Sequence, residues 1–170
     1  RLSVLRKFTQ KMLHLEPYPH VIIKNCLDEE IYEHLSTHYP SDAVIAGSKP
    51  NENTRYQLNV KTTKNKDDKE VIPLWKLFVK YHASKEFYKE VENVFGRNTL
   101  KMFPNLKNKK KEYDALKIKE REIDMKMNEK HDIVLDCQIG INTPTTHKFA
   151  VKGPHIDNLN EVYAGLLYFK

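Results

Sequence analysis

The fold is decided by a polar motif and the apolar run after it, Gly153-Pro154-His155-Ile156-Asp157-Asn158 and Tyr163-Ala164-Gly165-Leu166-Leu167-Tyr168-Phe169. In an extended strand, residues two apart point to the same side, so the His155 imidazole and the Asp157 carboxylate would share one face. With a second imidazole they would form the 2-His-1-carboxylate ligand set of Fe(II), which leaves positions open for cosubstrate and oxygen. The alternative is a turn Asp and a surface His beside a buried strand, because 8 His and 23 acidic residues make chance neighbours common.

The segment 133–170 resembles the core of Fe(II)/2-oxoglutarate-dependent dioxygenases of the prolyl-4-hydroxylase-like group. In that family a strand carrying His-x-Asp is followed by Asn, a short loop and an apolar strand ending in Tyr. His155–Asn158 leads to Leu166–Phe169 in the same way. The sequence around Ile141–Pro144 and Gly153-Pro154 is most similar to that of the phage and marine-bacterial members.

The resemblance implies an α+β fold: a double-stranded β-helix of the jelly-roll or cupin type, incomplete at the C-terminus, with N-terminal helices packed on it. It implies that His155 and Asp157 bind Fe(II), that 2-oxoglutarate is the cosubstrate and that ascorbate is a further cofactor. The implied reaction is hydroxylation of an unactivated C–H bond, with a peptidyl proline or similar side chain as the leading substrate. Sugars and other small molecules are alternative substrates.

Residues 133–142 read as a strand with one polar and one apolar face. From Asp136 onward polar and apolar residues alternate, which places Gln138 and Asn142 on the polar face. Such a strand is either half-exposed or, in a jelly roll, lines the cavity that holds the cosubstrate. On the second interpretation Gln138 and Asn142 bind 2-oxoglutarate, and the resemblance adds Thr143 and Tyr168 to that site.

The third iron ligand is the difficulty for this interpretation. In the family the distal His and the Arg or Lys that pairs with the 5-carboxylate of 2-oxoglutarate lie on later strands. No earlier histidine, including His131 and His147, takes the distal position. We therefore expect two ligands and an open half-barrel whose strand edges invite self-association. The alternative function is a catalytically incomplete jelly-roll interaction module that binds an acidic partner.

Composition predicts one domain over residues 1–170, with a support region (1–100), a charged helical insertion (101–130) and the first barrel strands (131–170). No run of 18 apolar residues and no signal peptide are found, which predicts a cytoplasmic protein without a membrane segment. The two cysteines lie far apart, so we expect reduced thiols. The net charge of +6 is spread among acidic residues, and nucleic acid is not a favoured partner.

Periodicity predicts the supporting elements. We expect an amphipathic helix over residues 3–15, a buried strand over 20–25 and a helix capped by Asp28 that ends at Pro40. Residues 41–69 read as loop-rich, with one strand at Tyr56–Val60. The cluster Asn53-Thr54-Arg55-Tyr56 offers a guanidinium and a phenol for a substrate carboxylate or peptide, with surface packing as the alternative.

A third helix is predicted to begin at Pro73 and to stop at Gly96, with a slip in its apolar stripe near His82. Trp75 and His82 are interpreted as packing residues. Residues 105–130 hold nine basic and six acidic side chains on a thin apolar seam, which predicts a projecting helix. Electrostatic capture of an acidic partner is the functional alternative for that segment.

Overall fold

The computed structural model describes residues 2–104, 106, 116–122, 132–145 and 160–169. Five α-helices, six short strands and one 3-10 helix lie in this part of the chain. The mixture confirms the α+β class. In chain order they are the 3-10 helix Gln10–Met12, β1 (Leu13–His14), β2 (His20–Val21), α1 (Glu29–Thr37), α2 (Asp42–Ala46), β3 (Arg55–Leu58), α3 (Val60–Asn65), α4 (Pro73–His82), α5 (Lys85–Met102), β4 (Ile118–Glu120), β5 (Ile133–Leu135) and β6 (Ile139–Asn142).

The strands form three two-stranded sheets within the described ranges. β1 pairs with β2 and β3 pairs with β6, both antiparallel, whereas β4 and β5 run parallel. The β3–β6 pair joins Arg55 to Asn142 and Leu58 to Ile139 across a long stretch of sequence. The ribbon is therefore built from segments distant in sequence and not from a local hairpin.

The predicted helix over residues 3–15 is wrong. Besides the 3-10 turn at Gln10–Met12 and strand β1, the segment has local turns at Ser3–Arg6 and Leu5–Phe8, and its start is held by tertiary bonds. Ser3 is 6% exposed and its hydroxyl donates to Glu90 on α5, while the backbone N–H of Val4 donates to His82 on α4 at 3.3 Å. These bonds to other helices replace the i to i+4 bonds that a helix here would make.

The predicted strand over residues 20–25 is confirmed only at its first two residues, β2. Asn25 has a φ of 49°, a left-handed conformation that an extended strand excludes. The next helix, α1, begins directly after Asp28 as predicted. Asp28 makes no capping bond, however, because its carboxylate pairs with Arg6 instead.

Residues 41–69, predicted to be loop-rich, contain two helices that their polar composition did not predict. Ser41 caps α2 by accepting from the Val44 N–H at 3.4 Å, and Asn59 caps α3 by accepting from the Thr62 N–H at 2.8 Å. The predicted strand at Tyr56–Val60 is found as β3, which ends at Leu58. Asn59 turns the chain out of the strand, so that Val60 is the first residue of a helix.

The helix at Pro73 is confirmed and is followed by a second, longer one. The predicted slip near His82 is a break at Ala83-Ser84, where the Ser84 hydroxyl accepts from the Phe87 N–H at 3.2 Å and caps α5. α5 runs through Gly96 to Met102, so the predicted stop at Gly96 is wrong. A glycine in a helix interior costs only about 1 kcal/mol relative to alanine, which packing readily overcomes.

Trp75 lies in the larger of two hydrophobic clusters. Its indole is 3% exposed, and the Nε1–H donates to the Leu35 carbonyl at 3.0 Å, which ties α4 to α1. The rings of Tyr39, Phe78 and Phe169 lie 5.2 to 5.6 Å from the Trp75 ring. The packing role predicted for Trp75 is confirmed. Buried members of this first cluster are Cys26, Leu27, Leu35, Ile45, Leu58, Val60, Val71, Trp75, Phe78, Val79, Ala83 and Ile139.

A second, smaller cluster consists of Tyr88 on α5 with Ile133 and Leu135 on β5. Leu116 and Ile118 pack against it from the partly described charged region. Ile118–Glu120 is strand β4, not helix, which corrects the prediction of a helical insertion at those residues. Backbone pairing with β5 outcompetes the i,i+4 charge pairs there. The remainder of 105–130, apart from residues 106, 116, 117, 121 and 122, lies outside the described residues.

Two further strand predictions meet the structure only in part. The strand over 133–142 is divided into β5 and β6, with Asp136–Gln138 in neither. The apolar run Tyr163–Phe169 belongs to no strand within the described part of the chain. Its Tyr163 packs on the second hydrophobic cluster, and its Leu167 and Phe169 pack on the first. No described helix is both long and apolar enough to cross a bilayer.

His82 is a core histidine, as predicted. It is 6% exposed; Nδ1 lies 2.8 Å from the Phe78 carbonyl oxygen, and Nε2 accepts the Val4 N–H. This pattern fits a neutral ring with its proton on Nδ1. Burial lowers the pKa of His82 from 6.5, with smaller opposing effects of the Phe78 carbonyl and the Glu90 carboxylate.

We expect acid to destabilise the protein through His82. Because its pKa is lower in the folded chain, the unfolded chain binds more protons, and the free energy of unfolding falls as the pH drops below 6.5. Urea unfolding of wild type and His82→Gln between about pH 7.5 and 5.5 tests this, with exposed His38→Gln as the control. His82→Gln should flatten the pH dependence and His38→Gln should not. Equal slopes in all three proteins would contradict the assignment.

Candidate functional site

The two predicted iron ligands, His155 and Asp157, lie outside the described residues, in the segment 146–159. What the structure describes is the chain on each side of that segment. Upstream lies the end of β6, which carries Asn142 and Thr143. Downstream lies the segment 160–169, which carries Tyr168. The candidate site is therefore built from these two flanks.

The upstream flank is fixed by hydrogen bonds to the loop before β3. The Thr143 hydroxyl accepts from the Thr54 N–H at 2.8 Å and lies 2.8 Å from the Asn51 carbonyl, to which it can donate. The Thr143 N–H donates to the Thr54 carbonyl at 3.0 Å, and the Asn53 N–H donates to the Pro144 carbonyl at 2.9 Å. The chain is thus held by hydrogen bonds at Thr143 and Pro144, just before the segment that carries the motif. The hydroxyl of Thr143 is engaged in this clamp, and its role in cosubstrate binding stays a prediction.

The downstream flank contacts both hydrophobic clusters. Val162 and Tyr163 pack on the second cluster, and the Tyr163 ring lies 6.4 Å from that of Tyr88. Leu167 and Phe169 pack on the first cluster. Burial raises the pKa of Tyr163 to about 12, so its hydroxyl stays protonated at neutral pH. Residues on both sides of 146–159 are therefore held by the body of the domain.

Tyr168 is the fourth residue predicted to bind the cosubstrate, and its side chain points away from the hydrophobic clusters. Its side chain is 76% exposed, whereas its neighbours Leu167 and Phe169 contact the first cluster. The ring of Phe169 stacks on Tyr32 at 5.3 Å, which fixes the direction in which this part of the chain faces. Tyr168 is thus accessible for binding. Nothing in the described contacts brings it to the β6 residues.

The β3–β6 ribbon has one buried and one exposed face. Tyr56, Leu58, Ile139 and Ile141 point toward the first cluster, where Leu58 is 4% and Ile139 is 2% exposed. The opposite face carries Arg55 and Gln57 on β3 with Gly140 and Asn142 on β6, all exposed. The alternation was predicted from Asp136 onward and is confirmed in β6, Ile139–Asn142. Of its two interpretations, the described residues display a half-exposed strand.

Asp136 organises the junction between β5, β6 and α3. Its Oδ1 accepts from the Val60 N–H at 3.2 Å, and its Oδ2 accepts from Gln138 Nε2 at 2.8 Å and lies 3.2 Å from Arg121 Nε. Gln138, predicted to bind cosubstrate, is thereby drawn back toward Asp136. Sequence reasoning placed Asp136 only on a polar face and missed this role, because its partners Val60 and Arg121 are distant in sequence.

Thiol chemistry is not available at this site at neutral pH. Both cysteines are free, in keeping with the prediction of reduced thiols. Burial, with the neighbouring Asp136 carboxylate, raises the pKa of Cys137 to about 12, and burial raises that of Cys26 as well. Thiols in this state are poor nucleophiles and poor metal ligands.

A separate cavity of about 280 Å³ lies between α5 and β4. Lys85 and Lys89, one helical turn apart, stand at its edge, and Tyr88, Leu116 and Ile118 line its apolar side. Glu92 also lines the cavity and hydrogen-bonds to Tyr88, which contributes to the raised pKa of that tyrosine. This cavity contains none of the predicted site residues.

The described residues contain no cluster of three or more His, Cys, Asp or Glu side chains that could hold a metal ion. The iron site predicted at His155 and Asp157 is not tested by this observation, since neither residue is described. Comparison with protein-family models, with curated proteins and with solved structures finds no match to this chain.

Proposed function

We propose that this chain is part of an Fe(II)/2-oxoglutarate-dependent dioxygenase with a double-stranded β-helix core, acting on a peptidyl proline or a similar side chain. The observation that carries the proposal is the order His155-Ile156-Asp157-Asn158, a short spacer, and the apolar run that ends at Phe169. The donor types suit the metal, because imidazole and carboxylate are the ligands of non-haem Fe(II) oxygenases.

The two anchored flanks support this proposal. A metal ligand pair must be held within a fraction of an ångström to bind its ion well, and that requires a chain whose neighbouring residues are fixed. Thr143 is clamped by the loop at Asn51–Thr54, and residues 162–169 pack on both hydrophobic clusters. These contacts fix the chain at positions before and after the segment that carries the ligand pair.

Bound iron, with 2-oxoglutarate and dioxygen, supplies the oxidising power that hydroxylates a carbon no side chain could attack. The contributions of the protein are more modest. His155 and Asp157 would hold the metal, and the exposed amide of Asn142 can donate hydrogen bonds to a cosubstrate or substrate oxygen. The exposed hydroxyl of Tyr168 offers one further O–H donor.

We expect Fe(II)-dependent formation of succinate from 2-oxoglutarate by the protein expressed from its native reading frame. His155→Ala or Asp157→Ala should lower the rate by more than about 100-fold, since even residues that only orient a metal ligand typically contribute 10- to 100-fold. The same variants should lose affinity for Fe(II) alone, measured anaerobically by equilibrium dialysis. His147→Ala is the matched control, since it removes another histidine from the same part of the sequence.

The interaction module remains the second candidate, and the same experiment separates the two. Iron-independent succinate formation, or wild-type Fe(II) affinity in both ligand variants, contradicts the oxygenase proposal. Retained binding of an acidic peptide without any succinate favours the module. The pair Lys85 and Lys89 beside the 280 Å³ cavity is the described feature on which such binding would be sought.

A further inference from the structure

The exposed face of the β3–β6 ribbon combines one guanidinium with side-chain amides. Arg55 stands directly opposite Asn142, and Gln57 stands opposite Gly140, in the antiparallel register. Side chains directly opposite each other in such a pair have Cβ atoms about 4.5–5.5 Å apart, so the Arg55 and Asn142 head groups can reach one ligand. Because Gly140 has no side chain, this face has a shallow depression beside Gln57.

The ribbon is rigidly supported from below and at its end. The Tyr39 hydroxyl donates to the Gly140 carbonyl at 2.8 Å, and the Tyr56 hydroxyl accepts from the Asn51 N–H at 2.9 Å. The Thr143 clamp holds the loop that leads into Arg55. Arg55 and Asn142 are therefore presented on a fixed backbone, which lowers the entropy lost when a ligand binds.

The charge on this face is not balanced by its described surroundings. Several partly exposed cations pair with carboxylates: Arg6 with Asp28, Lys64 with Glu120, and Arg121 with Asp136. Arg55 forms no ion pair with any described residue, although it is exposed. A planar guanidinium beside an amide donor matches a carboxylate, which accepts two parallel N–H bonds from arginine.

We propose that Arg55 and Asn142 form a recognition site for a carboxylate side chain of a peptide ligand. The fork of Arg55 would bind both carboxylate oxygens, and the Asn142 amide would donate to one of them or to the peptide carbonyl next to it. The depression at Gly140, beside Gln57, leaves room for the main chain of the peptide. The choice of a peptide as ligand rests on the proposed function; the preference for a carboxylate rests on the ribbon alone.

Binding of two synthetic peptides tests the site without any turnover. One is a fluorescent proline-containing peptide with a central Glu, and the other carries Gln at the same position; both are titrated by anisotropy in metal-free buffer. Wild type should bind the Glu peptide about 10-fold more tightly, the usual effect of one charge-assisted hydrogen-bonded pair. Arg55→Gln should abolish the preference and leave the Gln peptide unaffected.

Two further variants separate recognition from general attraction. Arg97→Gln removes an exposed arginine on α5 and should leave the preference intact. Arg55→Lys keeps the charge but not the fork, and should restore only part of the preference. No preference in wild type, or an equal loss in Arg55→Gln and Arg97→Gln, overturns the proposal. Because no iron or 2-oxoglutarate is present, a negative result leaves the succinate test of the proposed function unaffected.

Discussion

Trp75→Ala is expected to lower the free energy of unfolding by about 3–5 kcal/mol, the usual cost of removing a buried Trp or Phe side chain. Trp75 is 3% exposed and contacts the ring of Phe78 on the same helix and the rings of Tyr39 and Phe169 from other parts of the chain. Its loss leaves a cavity and also an unpaired carbonyl at Leu35. Urea unfolding followed by circular dichroism measures the change, since the variant has no tryptophan to report fluorescence.

Trp75→Phe is the matched control. It keeps an aromatic ring but removes the Nε1–H that donates to Leu35, so the expected loss is nearer to 1–2 kcal/mol. Leu77→Ala, on the same helix, alters a side chain that is 54% exposed and should change stability by less than about 0.5 kcal/mol. Similar effects of Trp75→Ala and Leu77→Ala would show that Trp75 does not occupy the centre of the core.

Asp136→Ala should lower the free energy of unfolding by about 2–3 kcal/mol. The larger part comes from the backbone N–H of Val60, a residue with 0% exposure that would lose its acceptor. The ion pair contributes less, because the Arg121 side chain is 47% exposed and solvent screens it. Urea unfolding at neutral pH, at low and high salt, measures both parts.

Asp136→Asn distinguishes the two contributions. An asparagine keeps an oxygen for the Val60 N–H and removes only the charge that attracts Arg121. It should therefore retain most of the stability that Asp136→Ala loses, and added salt should affect it less than wild type. If the Asn and Ala variants were equally unstable, the carboxylate charge rather than the hydrogen bond to α3 would be the important feature.

Local signals in the sequence predicted the middle of the chain well. Proline at the first position of α4, the apolar spacing that buries Trp75 and His82, and the start of α1 after Asp28 all depend on neighbours in sequence. The alternation along β6 was equally readable, because a strand with one buried face leaves a period of two.

The failures lie where tertiary contacts decide. Residues 3–15 have a helical pattern, yet bonds from Ser3 and Val4 to α4 and α5 hold that segment in another conformation. Ile118–Glu120 lies in a charged stretch, but its backbone pairs with β5. For the candidate site, the sequence placed Asn142 on the polar face of its strand, and the structure leaves that residue exposed. The sequence did not predict the pairing of Arg55 with Asn142, because strand register between distant segments leaves no local signal.

Phe169 touches Tyr32 and Trp75, residues that are synthesised long before it. Contacts of such long sequence separation form late, since the loop between them must close first, and they slow folding. On the ribosome, the first hydrophobic cluster reaches its final packing only after Phe169 has emerged. A nascent chain arrested before residue 160 should accordingly remain sensitive to proteases around α1 and α4, and become resistant once Phe169 has left the exit tunnel.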